Sequence, residues 1–299
     1  MFAPGADPWL GNRQAKQGLR GWQGLRYSQP MGVPPVILSI AGYDPSSGAG
    51  ITADVKTAAA HRCYAATCIT AVTVQTTQGV FRVRPLEAEL VAQTLMALAD
   101  DLDIRAVRLG MMASGEVAAA VADFLEAAQL PNVVLDPVVR SSSGATLLDA
   151  AGLEILRKRL VPLCDVLTPN VHEAVMLVGA APVADRRSWD SALPELRRLA
   201  SGLHDLGAEA VVITGGHLDP ANDYLSFKNG EEVEVIPGER LESRTTHGTG
   251  CAYATAMVCR LALGDDLPSA AKAAKEYVRR GIQSGYPIGK GTGSINHFG

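Results

Sequence analysis

Chemistry is densest near the C-terminal end, in Arg244-Thr245-Thr246-His247-Gly248-Thr249-Gly250-Cys251-Ala252. A polar run meets two glycines bracketing one Thr, and small apolar residues from Cys251 to Leu263 follow. Gly248 and Gly250 permit backbone angles that other residues resist, so successive N–H groups can turn into one concavity. The run behind them has no internal Pro or Gly and predicts a buried helix beginning at about Gly250. Free N–H groups and the positive end of the helix dipole then face one point. That suits an anion and, in an enzyme, a phosphoryl group in transfer. The plainer alternative is a glycine-rich turn into an ordinary core helix.

The elements that must position this stretch are short apolar runs of the kind buried on both faces of a sheet. Val36 to Ala41 is the first, and Cys68 to Val74, Ala106 to Leu109, Val133 to Leu135, Val166-Leu167 and Val211 to Ile213 follow. Helical patterns lie between them at Leu86 to Asp100, Ser114 to Ala128, Leu153 to Arg159 and Leu193 to Leu206. Such alternation implies right-handed crossovers and a mainly parallel sheet covered on both faces, an α/β fold. Tyr224 to Phe227 and Val233 to Ile236, joined across Asn229-Gly230, predict a hairpin adding antiparallel strands at one edge. Polar or glycine positions follow the C-terminal ends of the runs: Gly42, Gln75, Gly110, Asp136, Asn170 and Thr214. Open parallel sheets bind ligands along that edge.

Composition narrows the partners. The 299 residues carry 27 basic and 31 acidic side chains, a net charge of −4, without aromatic-basic interleaving. Nucleic acid and anionic membrane are therefore not expected partners, and no apolar run reaches membrane-spanning length. Five cysteines, odd in number and without a C-x-x-C pair, argue against a disulfide framework and a zinc site; reduced cytoplasmic thiols fit. Residues 1–30 stand apart, with five glycines, three prolines, four basic residues and one acid. Without sustained periodicity, 1–32 reads as a poorly ordered arm ahead of one domain over 33–299, and Met31 is an alternative start.

Neither a G-x-x-x-x-G-K-[ST] loop nor a G-x-G-x-x-G after the first strand is present. From about Val36 to Phe298 the chain instead resembles the hydroxymethylpyrimidine/phosphomethylpyrimidine kinases of thiamine biosynthesis, within the ribokinase-like fold. The resemblance is carried by Ser39 to Thr57 (SIAGYDPSSGAGITADVKT), Val72 to Val80 (VTVQTTQGV), Leu135-Asp136-Pro137-Val138, Thr168 to Ala174 (TPNVHEA), Gly215-Gly216-His217 and Thr246 to Cys251. The tail Gly289 to Phe298 (GKGTGSINHF) resembles that family's ending as well.

The resemblance implies a three-layer α/β/α fold and transfer of a phosphoryl group from ATP, with Mg²⁺, to an aminopyrimidine and then to its monophosphate. Asp54 and Gln75 would hold the ring, while Gly42 and Val138 would shape the pocket. Asp54 sits at the edge of a helical stripe through Ile51, Val55 and Ala58, and a half-buried carboxylate needs a partner. An amide such as Gln75 both donates and accepts, which suits a ring nitrogen beside an amine. Gly248, Thr249 and Gly250 would cradle the moving group beside Cys251, the position that sugar kinases of this fold fill with an Asp base. Asn170, Thr214, Gly216 and Thr246 would contact ATP, and Asp136, Asn170 and Glu173 would manage Mg²⁺. Asn170-x-x-Glu173 is equally the pattern of a helix cap with an acidic first turn. For Cys251, a helix N-terminus lowers a thiol pKa and a triphosphate raises it, leaving its role as base open.

A cytoplasmic homodimer is implied by the same resemblance. Departures from the family pattern are Ser142 in a Lys position, with Arg140 nearby, Thr214 for the Lys before Gly-Gly-His, Tyr43 for a smaller residue, and Gln75-Thr76-Thr77. They bear on substrate preference and on the second phosphorylation. A pyridoxal kinase on the same fold, or a pyrimidine-binding sensor without catalysis, are the rival readings.

Overall fold

The computed structural model describes residues 32–298 except 142, 182–187 and 231–232. The expectations for the first 31 residues and for Ser142 lie outside the described residues. From Pro34 onward the chain is one compact unit. Its strands are β1 (Val36–Tyr43), β2 (Tyr64–Thr76), β3 (Gly79–Pro85), β4 (Ile104–Leu109), β5 (Val133–Leu135), β6 (Val166–Leu167), β7 (Ala210–Ile213), β8 (Asp223–Phe227) and β9 (Val233–Ile236). Its helices are α1 (Gly50–Ala60), α2 (Ala88–Asp101), α3 (Gly115–Ala128), α4 (Ala150–Ile155), α5 (Val161–Leu163), α6 (Val171–Val178), α7 (Trp189–Asp205), α8 (Thr249–Ala262) and α9 (Leu267–Gln283). A π-helical turn, Leu156–Leu160, joins α4 to α5.

One nine-stranded sheet has the order β3-β2-β1-β4-β5-β6-β7-β8-β9. Pairs from β2 to β7 are parallel, and antiparallel strands close both edges: β3 on β2, and β8–β9 on β7. The expected Asn229-Gly230 hairpin is present. The β2–β3 hairpin at the opposite edge is an addition, because its outer residues Val74, Phe81, Arg82 and Arg84 are exposed and leave no buried run to read.

Strand alternation divides the core into two layers. Leu38, Ile40, Val107, Leu109 and Leu167 pack with α2, α3, α6 and α7, whereas Ile37, Ala106, Val134, Val166 and Val212 pack with α1, α8 and α9. Each layer buries a continuous apolar face. The three-layer α/β/α expectation therefore holds, with strand ends extended by up to four residues over those expected.

Helix starts follow local chemistry. Ser114 caps α3 by accepting from the Val117 N–H, and Asp266 caps α9 by accepting from the Ser269 N–H. α8 has no side-chain cap; its N-cap residue is Gly248, in a left-handed conformation with φ of 80°. α1 departs from the expected stripe: Ile51, Ala53, Asp54, Thr57 and Ala58 are buried, while Val55 is 43% exposed.

Candidate active site

Five neighbouring parallel strands, β1, β4, β5, β6 and β7, end at one edge of the sheet. Gly42 lies one residue before the end of β1; Gly110, Asp136 and Thr214 follow β4, β5 and β7 directly, and Asn170 lies just beyond β6. Gln75 is the penultimate residue of β2. The mouth of α8 meets the turn between β1 and α1 backbone to backbone, since a Cβ at Gly248 would run into the Gly48 carbonyl. At Gly250 the surroundings are different: a Cβ would meet no atom within 4 Å. The first turn of α8, at the positive end of its dipole, is thus exposed at Gly250.

Behind that mouth lies a buried charge cluster. Arg108, on the α8-facing side of β4, is fully buried and pairs with Asp136 (Nη2–Oδ2 2.6 Å) and Asp54 (Nη1–Oδ2 3.3 Å). Asp54 also accepts from Ser39 Oγ at 2.6 Å and from Thr255 Oγ1 at 2.7 Å. The expectation that Asp54 is half-buried is therefore corrected. Its exposure is 0%, and both oxygens are held by β1, β4 and α8. A buried carboxylate needs such partners, and the strands supply them from positions far away in the chain.

Cys251 adjoins this cluster, with its sulfur beside Arg108, Asp136 and the Gly50 N–H. Burial pushes its thiol up to about 12; Arg108 and the Gly50 N–H oppose the shift, and the Asp136 and Asp54 charges add to it. Without a ligand the balance among these protein groups favours the protonated thiol. Burial also raises the Asp136 carboxyl, against the Arg108 charge and a hydrogen bond from Cys251. For Arg108, burial works against the charge but Asp54, Cys251 and Asp136 outweigh it and hold the guanidinium above its ordinary value.

A second cluster faces the first from the β1–α1 turn. The Asp44 carboxylate accepts from the N–H groups of Ser46, Gly48 and Ala49 and from Ser46 Oγ. His247 Nε2 lies 2.9 Å from Asp44 Oδ2 and 3.3 Å from Gln75 Nε2. A Cβ on Gly48 would collide with the His247 ring, so that glycine is required for the approach. The tail completes this side: the His247 N–H donates to Gly293 O, and the Thr292 N–H donates to Thr77 O. Gly42 packs on Met111, and Val138 packs on the small cluster of Ala71, Met111, Ala113 and Leu147.

The opposite end of the edge is built locally. Asn170 and Glu173 form a capping box, with the Glu173 N–H donating to Asn170 Oδ1 and the Asn170 N–H donating to Glu173 Oε2, each at 2.9 Å. Burial, and then the nearby Asp136 charge, raise the Glu173 carboxyl well above its usual range. The Thr214 N–H donates to Pro169 O, the Gly215 N–H to Asp223 Oδ1, and Arg240 Nη1 to Gly216 O at 3.2 Å. Thr246 is exposed at the α8 mouth.

This geometry has known counterparts. The family model described as phosphomethylpyrimidine kinase matches residues 44–296. The chain belongs to that family. It is 40% identical over 269 residues to the hydroxymethylpyrimidine/phosphomethylpyrimidine kinase of Streptomyces coelicolor, covering 90% of this chain and 96% of that one. The crystal structure of phosphomethylpyrimidine kinase from Clostridium difficile 630 is similar at a TM-score of 0.70 and 33% identity, over 82% of this chain and 98% of that one. Bacillus subtilis pyridoxal kinase, in an ADP complex, is similar at a TM-score of 0.78 and 31% identity, over 89% and 98%. The fold is ribokinase-like, and the protein is a phosphotransferase of thiamine biosynthesis by family.

Three residues of the candidate site carry no role in the sequence analysis. Arg108 had a signal: a cation flanked by Val107 and Leu109 in a buried strand must meet carboxylates. His247 stood inside a quoted block with no role attached. Met111, the neighbour of Gly42, had no signal beyond its place after β4.

Proposed function

We propose that this kinase uses ATP and Mg²⁺ to phosphorylate the hydroxymethyl group of 4-amino-5-hydroxymethyl-2-methylpyrimidine, and then the resulting monophosphate. The observation that carries this reading is the α8 mouth. Its first turn has no side-chain cap and is exposed at Gly250, directly beside Cys251, with Gln75 tied to the same loop through His247. Phosphoryl transfer needs positioning and charge stabilisation more than a strong base, and a helix N-terminus supplies both for a migrating phosphoryl group. Gly248, Thr249 and Gly250 cradle that group in this reading. Gln75 contacts the ring, while Gly42, Met111 and Val138 form its apolar wall. Asp54 acts behind the site, holding Arg108.

The protonated Cys251 thiol and the raised Asp136 carboxyl give the substrate hydroxyl a short route for its proton: toward Cys251, with Asp136 accepting from the thiol. Thr214, Gly216 and Thr246 face the nucleotide in this assignment, and Arg240, bonded to Gly216 O, adds a positive charge where Thr214 brings none. Mg²⁺ fits the carboxylates that are present. Asp136 and Glu173 are both buried, the Asp136 charge is felt at Glu173, and Arg108 bonds Asp136 and Asp54 but not Glu173, an excess of negative charge that a cation relieves. Among the described residues no three His, Cys, Asp or Glu side chains gather as a ligand set. In this reading Asp136, Asn170 and Glu173 would serve the ion through its waters, as suits Mg²⁺, which would shield the charge on the transferring phosphate.

Turnover with hydroxymethylpyrimidine, its monophosphate and pyridoxal, each with ATP and Mg²⁺, tests the assignment. Activity confined to pyridoxal would replace it with the rival that the likeness to the Bacillus subtilis enzyme favours. A cytoplasmic homodimer belongs to the same proposal. Five unpaired cysteines suit a reducing compartment, and Val74 and Phe81 on the β2–β3 edge are 58% and 67% exposed. A monomeric mass in sedimentation at micromolar concentration would remove the dimer.

A further inference from the structure

His247 is bonded too specifically for a residue that only fills space. Its Nε2 faces Asp44 Oδ2 at 2.9 Å and the Gln75 amide at 3.3 Å, and its side chain is 14% exposed. On the other side of that amide stands Thr73, whose Oγ1 lies 3.2 Å from Gln75 Oε1 and 3.0 Å from Tyr43 O. The amide of Gln75 is thus clamped between a histidine and a hydroxyl, each with another commitment.

Counting protons decides how the clamp holds. The four N–H and O–H donors from the turn keep the Asp44 carboxylate an acceptor. Burial raises its pKa, but the bonds from His247 and Ser46 outweigh that and leave it below the ordinary value. His247 must then present a proton on Nε2, because a bare nitrogen lone pair 2.9 Å from a carboxylate oxygen is repulsive. A protonated Nε2 has no lone pair for an amide NH₂, so the amide atom facing His247 is oxygen, which takes the longer branch of a three-centre bond from the N–H that Asp44 also accepts. Thr73 has one hydroxyl proton, and the Tyr43 carbonyl accepts only, so Thr73 turns a lone pair to the amide and takes NH₂ there. Both demands are met by a half-turn of the Gln75 amide, which exchanges O and N and shifts no other atom. One lone pair of the amide oxygen and one N–H are left for a ligand, in a fixed order.

We infer that His247 is a positioning residue for specificity: with Asp44 and Thr73 it locks the Gln75 amide in one orientation, so that the site accepts a 4-aminopyrimidine edge and rejects a 4-oxo edge. This rests on the reading above that Gln75 faces the ring. An aminopyrimidine offers an amine donor beside a ring-nitrogen acceptor, complementary to O and N–H in the locked order. The 4-oxo analogue in the same pose sets acceptor against acceptor and donor against donor. A freely rotating amide turns over and takes either. Sites that bond a polar group and are left unpaired by its analogue discriminate strongly, so the lock has a large effect.

The test compares kcat/KM for hydroxymethylpyrimidine and its 4-oxo analogue in wild type, His247→Leu, His247→Gln and Thr73→Val. The ratio favouring the amine should fall at least tenfold in His247→Leu, through KM for the pyrimidines, while KM for ATP stays within twofold. His247→Gln, which keeps a donor near the Nε2 position, should restore part of the ratio. Thr73→Val, at a half-exposed position, should lower the ratio from the other side of the clamp even if His247→Leu does not fold. Equal losses for both analogues in every variant, or an unchanged ratio, would overturn the lock. Failure of the underlying reading looks different: wild type would not turn over the aminopyrimidine, or Gln75→Met would leave its KM unaltered.

Discussion

The two ends of the site edge are held by different means. At the β1–β2–α8 end, side chains distant in sequence bond one another: Asp54 to Thr255, Arg108 to Asp136, His247 to Asp44 and to Gln75. At the β6–β7 end, the bonds are local or backbone: the Asn170–Glu173 capping box, Thr214 to Pro169 and Gly215 to Asp223. The first end cannot form until the sheet and α8 have assembled, whereas the second needs only the β6–β7 pairing and a capping box set within three residues. Substitutions at the first end should therefore cost stability or specificity across the molecule, and those at the second should act on ligand binding alone.

Arg108→Met breaks the comparison most severely. It leaves Asp54 and Asp136 buried without their cation, and removal of one partner from a buried ion pair costs about 3–5 kcal/mol. Denaturant unfolding should show that loss as a lower midpoint at an unchanged slope. A variant as stable as wild type would mean that the cluster carries no net energy.

Cys251→Ala separates chemistry from scaffolding at the same end. Turnover should fall about 100-fold while pyrimidine affinity measured by calorimetry stays within a fewfold. Because the thiol is pushed up to about 12, its alkylation by iodoacetamide should stay slow up to pH 9. Rapid labelling at neutral pH would instead identify a thiolate base.

What the sequence discloses follows the same division. Val36 to Ala41, Val133 to Leu135 and Val211 to Ile213 are legible because strands buried on both faces must be continuously apolar. β3 is illegible for the opposite reason: at an exposed edge, Phe81, Arg82 and Arg84 have no face to declare. Asn170-x-x-Glu173 is readable as a cap because every partner lies within three residues. The full burial of Asp54 is illegible because its partners come from Ser39, Arg108 and Thr255, and no local pattern announces a bond across 201 residues. The Gly248–Cys251 mouth is legible since glycine placement and the apolar run declare both the turn and the helix.

The tail extends the first end and carries its pH sensitivity. His297 is buried, with Nδ1 2.9 Å from Tyr277 Oη and 3.4 Å from Thr57 Oγ1. Burial, and then the Lys56 charge, lower its pKa from 6.5 to about 4. The unfolded chain binds this proton between those values and the folded chain does not, so stability is full at neutral pH and falls as pH drops from about 6.5 toward 4. The loss is at most about 3 kcal/mol. His297→Gln should flatten the fall in Tm between pH 7 and pH 5; an unchanged slope would place the acid sensitivity elsewhere.

Glu173→Gln should show the smallest change in stability and the sharpest contrast. Glutamine at this position still completes a capping box, so the local geometry of α6 survives. It also removes a charge that burial and Asp136 already disfavour, so unfolding at pH 8 should shift by no more than about 0.5 kcal/mol, in the stabilising direction if at all. Activity should respond where stability does not. With one carboxylate gone from the pair that suits Mg²⁺, the Mg²⁺ concentration for half-maximal turnover should rise about tenfold while KM for the pyrimidine holds. If Glu173→Gln instead destabilises the fold as Arg108→Met does, the β6–β7 end is braced through its charge after all, and the difference between the two ends disappears.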